Sequence, residues 1–267
     1  MRLGAFIAGL SLVAASPTPG QDWAKERVEK SPRHGEWVTV KHGDRSVQAF
    51  IVFPEVKEKA TAVVVIHEIF GLSDWVRSAT DQLAEAGYIA IAPDLLTGLA
   101  EGGGGTKEIA KGGGDPRKEI GKLKPDQITK DLDACVDYLT KLPACNGKVA
   151  VTGFCWGGGQ TMRFATNNKS IKAAFPFYGS TALTPESVAK IACPVYGFYG
   201  EKDNRINSTI DDTKMLMKDA GKTYEPVLYD GAGHGFMRAG EDPKGNEANK
   251  KGREDAWKRM KELLAKL

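Results

Sequence analysis

The chain has 267 residues, of which 41% are apolar, and it carries a formal net charge of +3 at pH 7. This length and apolar fraction fit one large α/β domain with a substantial core. The weak charge, with no basic cluster interleaved with aromatic residues, argues against nucleic acid or an anionic membrane surface as the partner.

The N-terminal residues 1–16 resemble a secretory signal peptide. Arg2 supplies the positive charge, residues 3–15 form the apolar segment, and residues 14–16 offer a small-residue cleavage site. The apolar run is too short to span a bilayer. We therefore expect a secreted or periplasmic protein whose mature N-terminus is flexible to about residue 20. A buried N-terminal strand or helix is the alternative.

Alternating and continuous apolar patterns predict a series of strands and helices. Residues 36–40 and 46–52 alternate apolar and polar side chains and predict an antiparallel hairpin. Continuous apolar runs, typical of strands covered on both faces, follow at 62–66, 88–92, 149–151, 173–178 and 195–199, and residues 224–229 are predicted as the last strand. Helical spacing of apolar residues marks 74–86, 128–142, 160–166, 210–220 and 254–267. Strands that alternate with helices imply a mainly parallel sheet with helices on both faces, in a single domain over residues 21–267.

A glycine-rich segment at residues 101–114 interrupts this alternation. It contains two glycine runs, 102–105 and 112–114. The spacing of a phosphate-binding P-loop is absent, and no strand leads directly into the segment. We interpret it as a mobile surface loop, with a lid over a site as an alternative.

A candidate nucleophile stands in the segment 149–159. The apolar strand stops before Gly153, and Cys155 is followed by three glycines and a helical segment. The form Gly-x-nucleophile-x-Gly is that of a sharp turn that lifts the central side chain over the N-terminus of the next helix. The free N–H groups and the positive end of the helix dipole favour a thiolate there and, later, an oxyanion. The alternative is a buried structural cysteine beside a glycine-rich turn.

A cysteine nucleophile needs a base, and the base needs an orienting acid. His234 lies in a glycine-rich loop just past the last predicted strand, and Asp203 lies just past the preceding one. The chain order Cys155, Asp203, His234 is that of α/β-hydrolases. The alternatives are an ordinary turn histidine and turn aspartate. His34 and His42 lie in the polar N-terminal region, and we expect both to be solvated bystanders.

The other cysteines offer a second kind of chemistry, because export would place them in an oxidising compartment. Cys135 and Cys145 lie close in sequence and could form a disulfide. Against this, Cys135 stands on an apolar helix face, which favours a core position. Cys193 directly precedes a buried strand and is also expected in the core. The bonding state of Cys135 and Cys145 therefore stays open.

Four segments resemble the dienelactone hydrolase family. They are Gly153-Phe-Cys-Trp-Gly-Gly158, His67-Glu-Ile-Phe-Gly71, Gly87-Tyr-Ile-Ala-Ile-Ala-Pro-Asp94 and Gly233-His-Gly-Phe236. The similarity runs from about residue 36 to the C-terminus. The resemblance implies an α/β-hydrolase fold and a catalytic triad of Cys155, Asp203 and His234.

The same resemblance implies roles for residues near the triad. Glu68 is expected to pair with the resting thiol and to move away when substrate binds, which would release a thiolate. A salt-bridged residue at a strand end is the alternative for Glu68. The oxyanion hole is expected from the backbone N–H groups of Trp156 and Ile69.

The chain departs from the family at the substrate carboxylate. Characterised members hold that carboxylate with a pair of arginines, and Arg238, four residues after His234, matches one of them. The other should follow Pro93-Asp94-Leu95, but residues 96–98 contain no arginine. One arginine of the pair is therefore missing, which leaves the natural substrate open. A surface arginine is the alternative for Arg238.

The leading hypothesis is an exported cysteine hydrolase that cleaves small esters or lactones through an acyl-enzyme. We expect it to be a monomer and to need no cofactor and no metal. The alternative is an exported, non-catalytic binding protein for a small molecule that retains the fold and the pocket. The presence of all three triad residue types favours the enzyme.

Overall fold

The computed structural model describes residues 21–267. The predicted signal segment at residues 1–20 lies outside the described residues, so export stays a prediction. Within 21–267, an eight-stranded sheet carries helices on both faces, which confirms the predicted architecture. No helix in this part of the chain is long and apolar enough to cross a bilayer.

Eight strands and eleven α-helices alternate along the described chain. The strands are β1 (Gly35–His42), β2 (Arg45–Val52), β3 (Ala60–Ile66), β4 (Ile89–Pro93), β5 (Cys145–Phe154), β6 (Ala174–Phe177), β7 (Val195–Gly200) and β8 (Tyr224–Tyr229). The helices are α1 (Asp22–Glu29), α2 (Asp74–Glu85), α3 (Thr106–Lys111), α4 (Pro116–Ile120), α5 (Pro125–Lys141), α6 (Trp156–Ala165), α7 (Pro185–Ala189), α8 (Asn204–Asn207), α9 (Ile210–Asp219), α10 (Phe236–Ala239) and α11 (Glu247–Leu264).

The strand order across the sheet is β1-β2-β4-β3-β5-β6-β7-β8. The predicted hairpin of β1 and β2 is confirmed, and β2 pairs antiparallel with β4. Every later pair is parallel. The carboxyl ends of β3 to β8 therefore meet at one edge, which is where open α/β sheets place their functional loops.

The central strand β3 shows why its sequence is apolar throughout. Val63 and Val65 pack into one core with α2 and α11, whereas Val64 and Ile66 pack into a second core with α5. Alternate side chains of a strand point to opposite faces, so two covered faces require a continuous apolar run.

The glycine-rich segment differs from the predicted loop. It contains a 3-10 turn at Glu101–Gly103 and then helix α3, in which Ile109 is buried. The cause is Asp94 at the end of β4, whose carboxylate accepts hydrogen bonds of 2.7 Å from both the backbone N and Oγ1 of Thr106. These contacts hold the first turn of α3 against the body of the protein.

The prediction that His42 is a solvated bystander was wrong. Its Nε2 lies 2.6 Å from Oδ1 of Asp131 on α5, and Nε of Arg45 lies 2.7 Å from the same oxygen. Asp131 is 1% exposed, and a carboxylate so deeply buried requires donors around it. The hairpin turn is thus fastened to α5. His34, by contrast, has an exposed side chain, as predicted.

All four cysteines are free thiols in the structure. The predicted core positions of Cys135 and Cys193 are confirmed, and Cys145 is buried as well. Burial raises the pKa of the Cys193 thiol to about 11 and also raises that of Cys135. Cys135 and Cys193 are therefore poor nucleophiles at neutral pH.

Candidate active site

Cys155 stands on a sharp turn between β5 and α6. Its backbone has φ 55° and ψ −116°, a region that residues other than glycine rarely adopt. The neighbouring chain holds this conformation, because Cys155 N donates to Phe177 O at 3.0 Å and Gly159 N donates to Cys155 O at 3.2 Å. A Cβ on Gly157 would lie 2.3 Å from the carbonyl oxygen of Ile66, so only glycine lets α6 approach β3 this closely. The turn places the thiol at the carboxyl edge of the sheet.

Three side chains from three strand ends meet at this edge. The sulfur of Cys155 lies 3.1 Å from Nε2 of His234, in the loop after β8. Nδ1 of His234 lies 2.5 Å from Oδ2 of Asp203, which follows β7 and is 6% exposed. When Nδ1–H donates to the carboxylate, Nε2 is the nitrogen that can accept the thiol proton.

The groups around the sulfur shift the pKa of the Cys155 thiol in both directions. Burial, followed by the nearby Glu68 carboxylate, raises the pKa of the Cys155 thiol. The backbone N–H groups of Trp156 and Ile69 and the Arg205 guanidinium lower that pKa. These are the two N–H groups that the resemblance implied as an oxyanion hole, and that role stays a prediction.

Glu68 contacts Arg238 and not the thiol. Oε2 of Glu68 accepts a 2.9 Å hydrogen bond from Nε of Arg238, and Glu68 is 2% exposed. Burial raises the pKa of the Glu68 carboxyl, and the positive charge of Arg238 opposes the rise. The expected pairing of Glu68 with the resting thiol is therefore not the arrangement found, because the thiol faces His234. A buried carboxylate gains more from a charged guanidinium donor than from a neutral thiol.

Arg238 belongs to the site, but its guanidinium is only partly engaged. It lies over the ring of Phe70, 5.3 Å from the centroid, and a third of its side chain is exposed. Within residues 21–267, its Nε donates to Glu68 and its two Nη groups have no hydrogen-bond acceptor. Binding of a substrate carboxylate by these groups stays a prediction.

Two residues near the triad were missed by the sequence analysis. Tyr178, directly after β6, is fully buried with φ 37°, and its ring packs edge-on against His234 at 5.2 Å between centroids. Arg205 on α8 is exposed, and in the described chain its side chain forms no ion pair. Both follow the carboxyl end of a strand, which is the signal that could have identified them.

His67 has a structural role beside the site. It is fully buried, its Nδ1 lies 2.8 Å from the carbonyl oxygen of Glu68, and its Nε2 accepts from Leu95 N at 3.3 Å. Its ring stacks on that of Trp156 at 5.4 Å. Burial lowers the pKa of His67, which keeps the ring neutral with its proton on Nδ1. In the described part of the chain, no group of three or more His, Cys, Asp or Glu side chains is arranged to hold a metal ion.

Comparison with known proteins places this geometry in a family. Residues 47–267 match the sequence profile of the "Dienelactone hydrolase family". Two curated relatives, each named "Putative carboxymethylenebutenolidase", are 32% identical to this chain. The Methylorubrum extorquens protein aligns over 204 residues, covering 72% of this chain and 69% of its own. The Salmonella typhimurium protein aligns over 228 residues, covering 81% and 82%.

Solved structures agree with the sequence comparison. The "Putative Dienelactone Hydrolase" of Klebsiella pneumoniae matches with a TM-score of 0.74 at 26% identity, over 88% of this chain and 99% of that one. The dienelactone hydrolase of Anabaena variabilis has the same fold, with a TM-score of 0.63 at 17% identity, over 85% and 97% of the two chains. Because the profile match spans most of the chain, including every strand from β3 onward and the turn that carries Cys155, this protein belongs to the dienelactone hydrolase family and is a hydrolase with the α/β-hydrolase fold.

Proposed function

We propose that the protein is a cysteine-dependent hydrolase of small carboxylic esters or lactones that works through an acyl-enzyme. One observation carries the proposal: the sulfur of Cys155, at the N-terminus of α6, lies 3.1 Å from Nε2 of His234, whose Nδ1 lies 2.5 Å from Oδ2 of Asp203. A nucleophile and a base are therefore in contact beside the free N–H groups of a helix N-terminus, as acyl transfer requires. The names of the curated relatives denote lactone hydrolysis, which supports this substrate class.

In the first half of the reaction, Nε2 of His234 takes the thiol proton of Cys155, and the thiolate attacks the carbonyl carbon of the substrate. The oxyanion of the tetrahedral intermediate accepts hydrogen bonds from the N–H groups of Trp156 and Ile69. Asp203 stabilises the imidazolium that forms. The imidazolium then gives its proton to the leaving oxygen, the carbon–oxygen bond breaks, and a thioester remains on Cys155.

In the second half, His234 takes a proton from water, and the hydroxide attacks the thioester carbon. The same two N–H groups stabilise the second oxyanion. Collapse of this intermediate expels the sulfur of Cys155, which regains its proton from His234, and releases the carboxylic acid. A lactone substrate follows the same steps, except that its leaving oxygen stays attached to the product.

Positive charge near the sulfur favours a substrate with an anionic acid portion. Arg238 presents its free Nη groups beside Glu68, and Arg205 contributes a second positive charge that acts on Cys155. We propose that Arg238 binds the substrate carboxylate, in place of the arginine pair of characterised relatives.

Turnover of p-nitrophenyl acetate separates this enzyme from a non-catalytic binding protein. We expect the wild type to hydrolyse the ester and Cys155→Ala to lose essentially all activity while remaining folded. Cys193→Ala is the matched control, since its buried thiol has a pKa near 11 and should not contribute. Absence of turnover by the wild type, or full turnover by Cys155→Ala, contradicts the proposal.

Export is proposed on the signal-like residues 1–16 alone. The intact mass of protein isolated from its native host tests it. We expect a mature chain that begins near residues 16–21, and a chain that retains Met1 contradicts export by this signal.

A further inference from the structure

The glycine-rich segment fastens the loop that carries the N–H group of Ile69. We propose that Thr106, held by Asp94, is a positioning residue that orients the Glu68–Ile69 peptide toward the sulfur of Cys155. This inference rests on the proposed acyl-transfer function, in which the N–H of Ile69 binds the oxyanion.

The peptide between Glu68 and Ile69 is held through its carbonyl group. That carbonyl oxygen accepts from Nδ1–H of His67 at 2.8 Å and from Gly71 N at 3.1 Å. In a trans peptide the C=O and the N–H point in opposite directions within one plane. The two donors to the carbonyl oxygen therefore fix the opposite direction for the N–H of Ile69, and this N–H is one of the groups that lower the pKa of the Cys155 thiol.

Thr106 secures the far end of the same turn. Its Oγ1 accepts a 2.9 Å hydrogen bond from Leu72 N and donates a 2.7 Å hydrogen bond to Oδ1 of Asp94. Its backbone N donates to Oδ2 of Asp94 at 2.7 Å. Asp94 and Thr106 are both buried, at 5% and 8% exposure. The turn from Glu68 to Leu72 is thus tied to the end of β4 through one side chain of the glycine-rich segment.

Two glycines are required by this contact. A Cβ on Gly105 would lie 2.3 Å from Oδ2 of Asp94, and a Cβ on Gly71 would lie 2.2 Å from Oγ1 of Thr106. Gly71 also has φ +73°, which disfavours other residues. Side chains larger than glycine at positions 71 and 105 would therefore collide with Thr106 and Asp94. The sequence thus has glycine at the two positions where the contact between Asp94 and Thr106 requires it.

Apolar side chains in and beside the glycine-rich segment also pack against this turn. Leu96, Ile109 and Ile120 form a small core against which Ile69 and Trp156 pack. These last two residues supply the two proposed oxyanion N–H groups. One small core thus joins the glycine-rich segment, through Ile109, to both residues of the proposed oxyanion site, although the segment supplies no group that touches the reacting atoms.

Loss of Oγ1 in Thr106→Val keeps the shape of the side chain but leaves Leu72 N without its acceptor. The turn can then shift, and a displacement of about 1 Å of a catalytic group can cost roughly a hundredfold in rate. We expect acylation, measured as the release of p-nitrophenol in the first turnover, to fall roughly tenfold to a hundredfold, since loss of one whole donor costs about 10²–10³. Thr106→Ser retains the hydroxyl and should recover acylation to within about threefold of wild type.

A second readout separates positioning from general damage. Alkylation of Cys155 by iodoacetamide passes through no oxyanion, so its rate at high pH, where the thiol is fully ionised, should change less than about twofold in Thr106→Val. Lys107→Ala, on the exposed side of the same helix, is the matched control and should leave both rates unchanged. Asp94→Asn removes the charge that orders Thr106 and should lower the acylation rate without an equal loss of the alkylation rate. It is the test variant to use if Thr106→Val does not fold.

Acylation at the wild-type rate by folded Thr106→Val overturns the inference, and so does an equal loss of acylation and alkylation. Failure of Thr106→Ser to recover acylation overturns it as well. If the wild type itself shows no Cys155-dependent turnover, the proposed function fails, and the positioning role fails with it.

Discussion

Replacement of Asp203 by asparagine tests how the triad holds its base. The change removes one negative charge and keeps the size of the side chain. In the wild type, Oδ2 of Asp203 accepts a hydrogen bond from Nδ1–H of His234 at 2.5 Å, which leaves Nε2 free to take the thiol proton. An asparagine amide that donates to Nδ1 instead selects the tautomer with hydrogen on Nε2, and that tautomer cannot accept the proton of Cys155.

The size of the effect follows from the contact between the two charges. Two unit charges about 4 Å apart interact by about 4 kcal/mol at an effective dielectric constant of about 20. The side chain of His234 is 34% exposed, so solvent reduces this figure. We take about 2–4 kcal/mol, which corresponds to a loss of roughly thirtyfold to a thousandfold in rate.

The assay is kcat/KM for p-nitrophenyl acetate at neutral pH, with circular dichroism to verify the fold. Asp211→Asn is the matched control, because Asp211 is an exposed carboxylate on α9 that pairs only with Lys214 in the described structure. We expect the control to match the wild type. Activity of Asp203→Asn within about threefold of the wild type would refute the assigned role of Asp203.

Three further predictions concern charges around the sulfur. Glu68→Gln removes the negative charge that raises the pKa of Cys155, so the profile of iodoacetamide alkylation against pH should move to lower pH. An unchanged profile would show that Glu68 does not affect the pKa of the thiol. Arg205→Gln removes a charge that lowers the same pKa, so its profile should move to higher pH, and a shift in the other direction contradicts the placement of Arg205. Arg238→Gln should lower kcat/KM for esters with a carboxylate in the acid portion by roughly tenfold to a hundredfold relative to neutral esters, since a hydrogen bond to a charged group contributes about 1.5–3 kcal/mol. Equal losses on both kinds of ester would show that Arg238 has a structural role instead.

The features that could be predicted from the sequence depend on short-range patterns. The apolar run of β3 and the glycines around Cys155 each form a pattern within a few consecutive residues, and that pattern indicates a strand or a sharp turn. His234 and Asp203 could be identified because each directly follows a predicted strand, and the carboxyl ends of parallel strands meet at one edge. The order of the strands in the sheet then brings these separate loops together.

The features that could not be predicted depend on partners far away in the sequence. His42 is held by Asp131, 89 positions later, and Glu68 by Arg238, 170 positions later. Neither pairing leaves a local pattern, because only the packing of the elements decides which buried carboxylate meets which cation.

Helix α3 is a case of intermediate separation. Its first residue, Thr106, is fixed by Asp94, 12 positions earlier. The glycines that suggested a mobile loop are in part the positions that allow this contact, as the close approach of Asp94 to Gly105 shows. Composition alone could not distinguish a flexible run from a tightly packed one.

The most direct test of the account is the identity of the residue that carries the acyl group. The wild type is mixed with p-nitrophenyl acetate, quenched rapidly in acid, and analysed by intact mass and peptide mapping, with Cys155→Ala treated in parallel. We predict one added acetyl group, on Cys155, that is released by hydroxylamine and is absent from the variant. An acetyl group on any other residue that forms and decays at the rate of turnover, or turnover by the wild type with no acetyl group on Cys155, would contradict the account.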